Sequence, residues 1–336
     1  MNIFNKNRAI LISVLIAGAF FLYKVTLGKG QRNLILAHNM STDHPVHHGI
    51  VHFAKGVEDR SNGELSVRIY PNGQLGSEKE ILSLIQIGAI TMTKVSTLSL
   101  ESFSPYFGIL NLPFLFSDKA HFLGVLDSEI GQELLSSARS QRLQGLTFYE
   151  AGARSFYAHK PIRTPEDMKG MKIRVMDNPT AIRMLELLGG KPTPMPYGEV
   201  YTALQQGVID GAENNVTALT VNRHGEVSKF YSLDQHIFAP DTLIISQGVF
   251  DDLSEDEKTS LRIAAGESTF FQRDLWEKKV QEYETAARDK LGVEFIYPEK
   301  GPFIEKVSIL HKEYMNKGKD FERIIQKIKD FPSENP

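Results

Sequence analysis

Two arginines, Arg154 in the segment AGARSFY and Arg174 in MKIRVMDNP, carry the clearest chemical signal in this sequence. Each stands at or near the end of a predicted strand, and open α/β sheets bind ligands at the carboxyl ends of their strands. The planar guanidinium pairs with a carboxylate through two parallel hydrogen bonds and is not neutralised by deprotonation. The arginines therefore predict a site for an organic anion; the alternative is that they form structural ion pairs or lie in solvent.

Four histidines lie between residues 44 and 52. His44, His48 and His52 recur every four residues, so a helix would align them on one face, a spacing by which histidines can hold zinc. His44 precedes Pro45, however, and so lies at or before the helix start, and no acidic residue occurs between His44 and His52. Because zinc normally takes three or more protein ligands, we expect no metal. A histidine face turned to a ligand or to solvent is the favoured interpretation, and the role of His47 stays open.

Alternating strand and helix patterns are expected to position the arginines. From Asn33 to Ser96 the order is a strand (NLILAH), a helix ended by Gly63, a strand (ELSVRIY), a helix (SEKEILSLIQIGA) and a strand (ITMTKVS). A second run starts at Gly145 and includes the strands MKIRVM and VIDGAEN and the helices TAIRMLELL and GEVYTALQQG. This alternation is typical of crossover units with a parallel sheet. Two runs in 336 residues predict two lobes, each with its own sheet.

The C-terminal third has a different pattern. Residues 254–291 contain no proline and consist mainly of helix formers, interrupted only by Gly266. One helix of this length would extend about 55 Å, which is enough to cross both lobes.

The N-terminus predicts export. Lys6 and Arg8 precede the apolar run 9–23, so residues 1–29 resemble a Sec-type signal. The run is shorter than the ~20 residues that usually span a bilayer. Because no clear small-x-small cleavage site follows it, an uncleaved membrane anchor is the alternative.

Composition excludes several classes of protein. The sequence has no cysteine, which rules out disulfides, thiolate metal sites and a lipidated-cysteine anchor on the mature chain. The formal net charge is −3 and the basic residues are scattered, so the basic stripe expected of a nucleic-acid-binding protein is missing. The sequence also lacks a nucleophile elbow, a P-loop, a dinucleotide glycine fingerprint and an H-E-x-x-H motif. We therefore expect a protein that is not an enzyme, with an exported enzyme acting on an organic acid as the alternative.

Several longer segments resemble one known family. They are GARSFY, MKGMKIRV, PTPMPYGEVYTALQQGVIDGAENN, YPNGQLGSEKE and LPFLF. In order and spacing they are similar to the solute receptors of tripartite ATP-independent periplasmic (TRAP) transporters, the DctP-type proteins, over nearly the whole mature chain. The resemblance implies a periplasmic receptor that passes a small organic acid to two integral membrane subunits. A receptor for an ATP-driven importer or a sensor kinase is a weaker alternative.

The resemblance also implies a fold. We expect an α/β protein with the two-lobe, type II-like periplasmic binding protein fold and a long C-terminal helix spanning both lobes. The first lobe would contain residues 31–151 plus about 240–278, and the second 152–239 plus about 279–330. We further expect a monomer without a cofactor.

Family resemblance assigns roles to specific residues. Arg174 would form the bidentate salt bridge with the ligand carboxylate, assisted by Arg154, and Asn214 would hydrogen-bond the same group. Asp177 occupies a position that is often asparagine in relatives. A carboxylate there would repel an anion unless it accepted a hydrogen bond from a ligand hydroxyl.

Further pocket positions follow from the same resemblance: Asn39, Glu78, Ser96 and Tyr197. If Ser96 faces the pocket, strand alternation puts Lys94 on the same side. A lysine buried there needs a partner, such as Glu78 or a second ligand group; otherwise Lys94 lies at a strand edge and reaches solvent.

The implied pocket favours one class of ligand. It offers many hydrogen-bonding groups besides the arginine pair, which suits a polyhydroxylated monocarboxylate. A dicarboxylate without hydroxyl groups would need a second cationic group in the pocket to pair with its second carboxylate. We therefore predict a sugar acid such as a uronate or aldonate, with a C4-dicarboxylate as the alternative.

Overall fold

The computed structural model describes residues 31–333. The predicted signal or anchor, residues 1–29, lies outside the described residues. The strands are β1 (Arg32–Ala37), β2 (Leu65–Tyr70), β3 (Met92–Ser96), β4 (Leu143–Tyr149), β5 (Ala153–Ala158), β6 (Lys172–Val175), β7 (Lys191–Pro194), β8 (Gly211–Asn214), β9 (Phe230–Phe238), β10 (Asp241–Ser246) and β11 (Glu294–Ile296).

The helices include one that is far longer than the rest. The α-helices are α1 (Pro45–Arg60), α2 (Glu78–Gln86), α3 (Thr97–Leu100), α4 (Lys119–Asp127), α5 (Glu129–Ser137), α6 (Pro179–Leu187), α7 (Val200–Gln205), α8 (Thr217–Thr220), α9 (Gln247–Asp251), α10 (Glu255–Asp289), α11 (Gly301–Val307), α12 (Ile309–Met315) and α13 (Lys319–Lys329). Short 3-10 helices cover Pro105–Ile109, Ala138–Gln141, Pro165–Met168, Tyr197–Glu199 and His224–Glu226. No helix within residues 31–333 is both long and apolar enough to cross a bilayer.

Two separate sheets confirm the two-lobe α/β fold. The first has the strand order β2-β1-β3-β10-β4 and the second β11-β9-β5-β8-β6-β7. The predicted parallel pairing holds for β2-β1-β3 and β8-β6-β7, but β10 is antiparallel to both its neighbours, and β5 is antiparallel to β8 and β9. The antiparallel strands are those that flank the two crossings between sheets, β4 to β5 and β9 to β10. Sequence periodicity alone gives no sign of these crossings.

Local sequence explains where the helices α2 and α6 begin. Ser77 and Glu80 form a reciprocal capping box that begins α2, which places Glu78 in its first turn. Asn178 caps α6 and is followed by Pro179 at the first helical position, a combination that begins the helix soon after β6 ends. Of the residues at these two helix starts, Glu78 lines the cavity between the sheets.

The long helix α10 joins the lobes. Its first half packs tightly on α1, where a Cβ on Gly49 would lie 2.8 Å from Gln272. Its far end contributes Ala287 to the core of the second lobe. At the crossing between the lobes, Gly152 has a φ of 66° and a Cβ there would lie 2.9 Å from the buried Trp276. The 35-residue helix thus confirms the predicted element that spans both lobes.

The C-terminal helices also contact both lobes. Helix α13 buries Ile324, Ile325 and Ile328 in a core that includes Phe107 and Phe122 of the first lobe. Helices α11 and α12 lie against α6 of the second lobe.

Candidate functional site

A cavity lies between the two sheets, at the ends of β1, β3, β6 and β8. Fifteen residues line it: Asn39, Met40, His44, Glu78, Ser96, Ala151, Arg154, Arg174, Met176, Tyr197, Asn214, Asn215, Thr217, Ala239 and Asp241. Seven of the nine predicted site residues are among them, whereas Lys94 lies behind the lining and Asp177 lies outside it.

Arg174 is a buried cation that has no carboxylate partner in the described part of the chain. Its side chain leaves β6 near the carboxyl end of the strand and the residue is 2% exposed. Nε and Nη2 donate to the carbonyl oxygen of Met195 at 3.1 and 2.8 Å, and the guanidinium lies 5.7 Å from the ring centre of Tyr197. Among residues 31–333 no carboxylate lies within ion-pair distance of it. Burial lowers the pKa of Arg174, but arginine begins so high that it stays charged.

Arg154 differs, because it is already paired. Its Nε donates to Oε2 of Glu213 at 2.5 Å and its Nη2 to Oε1 at 2.9 Å. Nη1 donates to Oδ1 of Asn214 at 2.8 Å. The structural ion pair, which the sequence left open as an alternative, is what Arg154 forms, although its side chain still lines the cavity.

Buried charges continue beyond this pair. Nε2 of His236 lies 3.6 Å from Glu213, and Nδ1 lies 2.8 Å from Oδ2 of Asp234. Burial alone would raise the pKa of Glu213, but Arg154 and His236 hold it at about 2. Burial opposes the charge of His236 as well, yet the two carboxylates raise its pKa to about 9. The buried cations Arg154 and His236 thus alternate with the carboxylates of Glu213 and Asp234, and each charge has a partner of opposite sign.

Lys94 pairs with Glu78, as predicted, and also with a second carboxylate, that of Asp241. The residue is 0% exposed, and its Nζ lies 3.3 Å from Oε1 of Glu78, 3.1 Å from Oδ2 of Asp241 and 3.3 Å from Oδ1 of Asn39. Burial disfavours the ammonium charge, but Asp241 and Glu78 raise the pKa of Lys94 above its ordinary value. Burial also raises the pKa of Asp241. Lys94 therefore neither reaches solvent nor is free for a ligand.

Two other predicted residues have defined hydrogen bonds. Oδ1 of Asn214 accepts from Arg154 and from the backbone N–H of Asn215 at 2.9 Å, which leaves the amide NH2 of Asn214 as its available donor. The hydroxyl of Tyr197 donates to Asn222 at 2.8 Å. Both arrangements hold a side chain at the cavity wall.

Asp177 is not brought to the cavity. Its side chain is 61% exposed at the rim, where Oδ2 accepts a hydrogen bond from Lys79 of the first lobe at 2.5 Å. The expected repulsion between Asp177 and a bound anion therefore has no structural basis. The family resemblance placed Asp177 in the site, three residues after Arg174, but at this position the chain has left β6 and is about to enter α6.

A prediction follows for Asp177→Asn. An exposed pair is worth at most ~1 kcal/mol, so we expect the substitution to change ligand affinity by less than about fivefold. Calorimetric titration of both proteins would measure it. A loss of tenfold or more would mean that Asp177 contacts the ligand.

The histidines separate into two groups. His44 caps α1, accepting from the N–H of Val46 at 3.2 Å, so its Nε2 is the donor to Thr217 of the second lobe at 3.2 Å. His48 and His52 are exposed. In the described range, no group of three or more histidine, cysteine, aspartate or glutamate side chains could hold a metal ion.

Buried histidines predict a stability maximum near neutral pH. Burial and the nearby Lys94 lower the pKa of His38 to about 2 and of His44 to about 3. In the unfolded chain these histidines have pKa values near 6.5, so below that pH the unfolded state binds protons that the folded state does not bind. The free energy of unfolding therefore decreases as the pH is lowered below about 6.5. His236 acts in the opposite sense, because its raised pKa contributes stability that is lost between about pH 6.5 and 9.

Urea unfolding between about pH 5 and 8.5 measures this dependence. Each depressed histidine contributes up to ~1.4 kcal/mol per pH unit, so His44→Gln should flatten the acid side of the curve. An unchanged acid slope in that variant would contradict the assignment.

Asp241 is the acidic lining residue that sequence reasoning missed. It starts β10 opposite Ser96 of β3, far away in the chain. The available signal was an acid at the head of the apolar segment DTLIIS, which directly follows Pro240.

Comparison with known proteins identifies this architecture. Residues 36–318 match the model of DctP, bacterial extracellular solute-binding protein family 7. The 2,3-diketo-L-gulonate-binding periplasmic protein YiaO of Escherichia coli is 31% identical over 271 residues, 80% of this chain and 82% of that protein. These matches confirm the resemblance and the prediction of a solute receptor.

Solved structures agree with the fold. A TRAP periplasmic solute-binding protein from Anaerococcus prevotii, with bound D-glucuronate, has a TM-score of 0.88 and 38% identity, covering 91% of this chain and all of that one. Another from Xanthobacter autotrophicus, with bound β-D-galacturonate, has a TM-score of 0.87 and 38% identity over 89% of this chain and all of that one. The chain therefore belongs to family 7 of the bacterial extracellular solute-binding proteins.

Proposed function

We propose that this receptor captures a uronate or a closely related sugar acid between its lobes and delivers it to a TRAP-type secondary transporter. The observation that carries the proposal is Arg174, a buried guanidinium in the cavity wall without a carboxylate partner among residues 31–333. A buried unpaired charge is costly, and an anionic ligand supplies the missing partner. Arg174 would bind the carboxylate, with the amide of Asn214 donating to the same group.

The polar lining supports a hydroxylated monocarboxylate. Two further cations lie at the site, and both are paired: Arg154 with Glu213, and Lys94 with Glu78 and Asp241. Within residues 31–333, a C4-dicarboxylate would therefore find one free cation for its two charges. Ligand hydroxyls, in contrast, would find acceptors in Glu78, Asp241 and Asn39. The uronates bound by the two solved relatives and the diketogulonate of the Escherichia coli relative belong to this class of ligand.

Closure of two lobes would complete the site. We propose lobes of residues 31–151 plus about 240–278 and of 152–239 plus about 279–330, turning at the crossings 150–152 and 239–240. His44 and Thr217 touch across the cleft, as do Lys79 and Asp177. The ligand would stabilise this state through contacts to both lobes, since only differential affinity shifts such an equilibrium.

Family membership supports a proposal about the partners and the location of the receptor. We propose that the mature receptor is a periplasmic monomer, exported by residues 1–29, that docks on the small and large membrane subunits of its transporter. Retention of both subunits on the immobilised, ligand-loaded receptor would support this, and retention of an ATP-driven importer instead would contradict it.

Calorimetry on the mature protein tests the ligand class. We expect tight binding of one or more of D-glucuronate, D-galacturonate and an aldonate such as D-gluconate, and weak binding of succinate and malate. Tight binding of the C4-dicarboxylates alone would overturn the proposal. Turnover of the bound acid would instead favour the enzyme alternative.

A further inference from the structure

The cluster formed by Lys94, Glu78 and Asp241, here called the acid cluster, has an unbalanced charge. One ammonium group stands between two carboxylates, and all three residues are buried. When both acids are ionised the acid cluster carries one net negative charge. It belongs to the first lobe, while the unpaired Arg174 belongs to the second. The cavity thus has a positive wall and a negative wall.

The carboxylates of Glu78 and Asp241 accept different numbers of hydrogen bonds. Glu78 accepts hydrogen bonds from Ser99 at 2.7 Å and from the backbone N–H of Ser96 at 3.4 Å, in addition to its contact with Lys94. Asp241 has Lys94 as its close charged partner, and within residues 31–333 no hydrogen-bond donor from a neutral group meets its carboxylate. Asp241 therefore keeps acceptor capacity at the edge of the cavity that it lines.

Lys94 fixes both acids in place. Its buried Nζ has no route to solvent, and its contacts also include Asn39. Because Lys94 is committed to Glu78 and Asp241, it does not act as a free cation toward a ligand. A second carboxylate at this wall would meet two negative groups and one shared ammonium, whereas a hydroxyl would meet acceptors.

We propose that the acid cluster determines specificity, with Asp241 as its principal residue: it accepts hydrogen bonds from the hydroxyls at the uncharged end of the ligand and excludes a second carboxylate. This inference rests on the proposed function, because it presupposes that Arg174 holds the first carboxylate. It goes further by adding repulsion at the opposite wall to the lack of a second free cation as a reason for the rejection of dicarboxylates.

A matched ligand pair tests the idea. D-glucuronate and D-glucarate share the configuration of their four hydroxylated carbons, but D-glucarate has a second carboxylate in place of the C1 aldehyde and does not close into the sugar ring. The change in their affinity ratio between the wild-type protein and a variant therefore reports the charge, because the difference in ring shape is the same for both proteins. By calorimetry, we expect the wild-type protein to bind D-glucuronate at least about 100-fold more tightly. In Asp241→Asn, which removes one negative charge with little change of shape, we expect this preference to fall at least tenfold. Asp177→Asn removes the same charge outside the cavity and should leave the preference unchanged.

The outcomes separate the inference from the proposed function. If the wild-type protein binds no uronate, the proposed function fails. If it prefers D-glucuronate and folded Asp241→Asn keeps the full preference, only the specificity role fails. Should Asp241→Asn not fold, Glu78→Gln removes the other acid and must lower the preference in the same direction; an unchanged preference there would equally overturn the inference. A purely structural role for the acid cluster would weaken both ligands together and leave their ratio constant.

Discussion

Replacing Arg174 with alanine should weaken binding of the cognate sugar acid by about two to three and a half decades. Removing one partner of a buried charge pair costs ~3–5 kcal/mol, since the other charge is left desolvated and unpaired. The effect should be large here because Arg154 and Lys94 are bound to their own carboxylates and cannot take over. Calorimetric titration of the wild-type and variant proteins measures the loss.

Arg183 offers a matched control. It is an exposed arginine of α6 that pairs with Glu313 on the surface, so Arg183→Ala removes the same charge without touching the cavity. We expect affinity within about twofold of wild type, because exposed pairs contribute little. A loss below tenfold in Arg174→Ala would remove Arg174 from its assigned role.

Replacing Arg154 with methionine should primarily destabilise the fold. The substitution leaves Glu213 buried without its main cationic partner, and breaking such a pair costs ~3–5 kcal/mol. We therefore expect a loss of that order in the free energy of unfolding without ligand, measured by urea denaturation at about pH 7.

The corresponding change at Arg174 provides the comparison. Arg174→Met removes a buried charge that has no carboxylate partner among the described residues, so the ligand-free protein should be as stable as wild type or more stable. If Arg154→Met and Arg174→Met lowered the free energy of unfolding equally, the assignment of a structural role to Arg154 and a ligand-binding role to Arg174 would be wrong.

Sequence reasoning recovered the elements and most of the cavity, because capping boxes, strand alternation and family motifs are local signals. The resemblance gave Arg174 the leading role, but it placed both arginines on the ligand and did not predict that Arg154 forms a structural ion pair. The difference depends on the β5–β8 register, which sets Phe156 opposite Glu213 and so brings Glu213 beside Arg154. No spacing along the chain encodes that pairing.

Missed and misplaced residues have a similar physical origin. Asp241 reaches the site because β10 returns to the first sheet after the chain has built most of the second. Asp177 leaves the site because the strand ends at Val175, so strand alternation no longer decides its direction. Both outcomes depend on long-range topology, whereas the partner of Lys94 followed from the high cost of burying a lone charge.

The central claim is that Arg174 recognises the carboxylate of the ligand. The most direct test changes the carboxylate of the ligand and Arg174 of the receptor in the same set of titrations. D-glucuronamide replaces the carboxylate of D-glucuronate with a neutral amide and keeps the hydroxyls. In the wild-type receptor we expect the acid to bind at least about 100-fold more tightly than the amide, and in Arg174→Met we expect that preference to disappear. A variant that still prefers the acid by the wild-type factor would show that another group recognises the carboxylate.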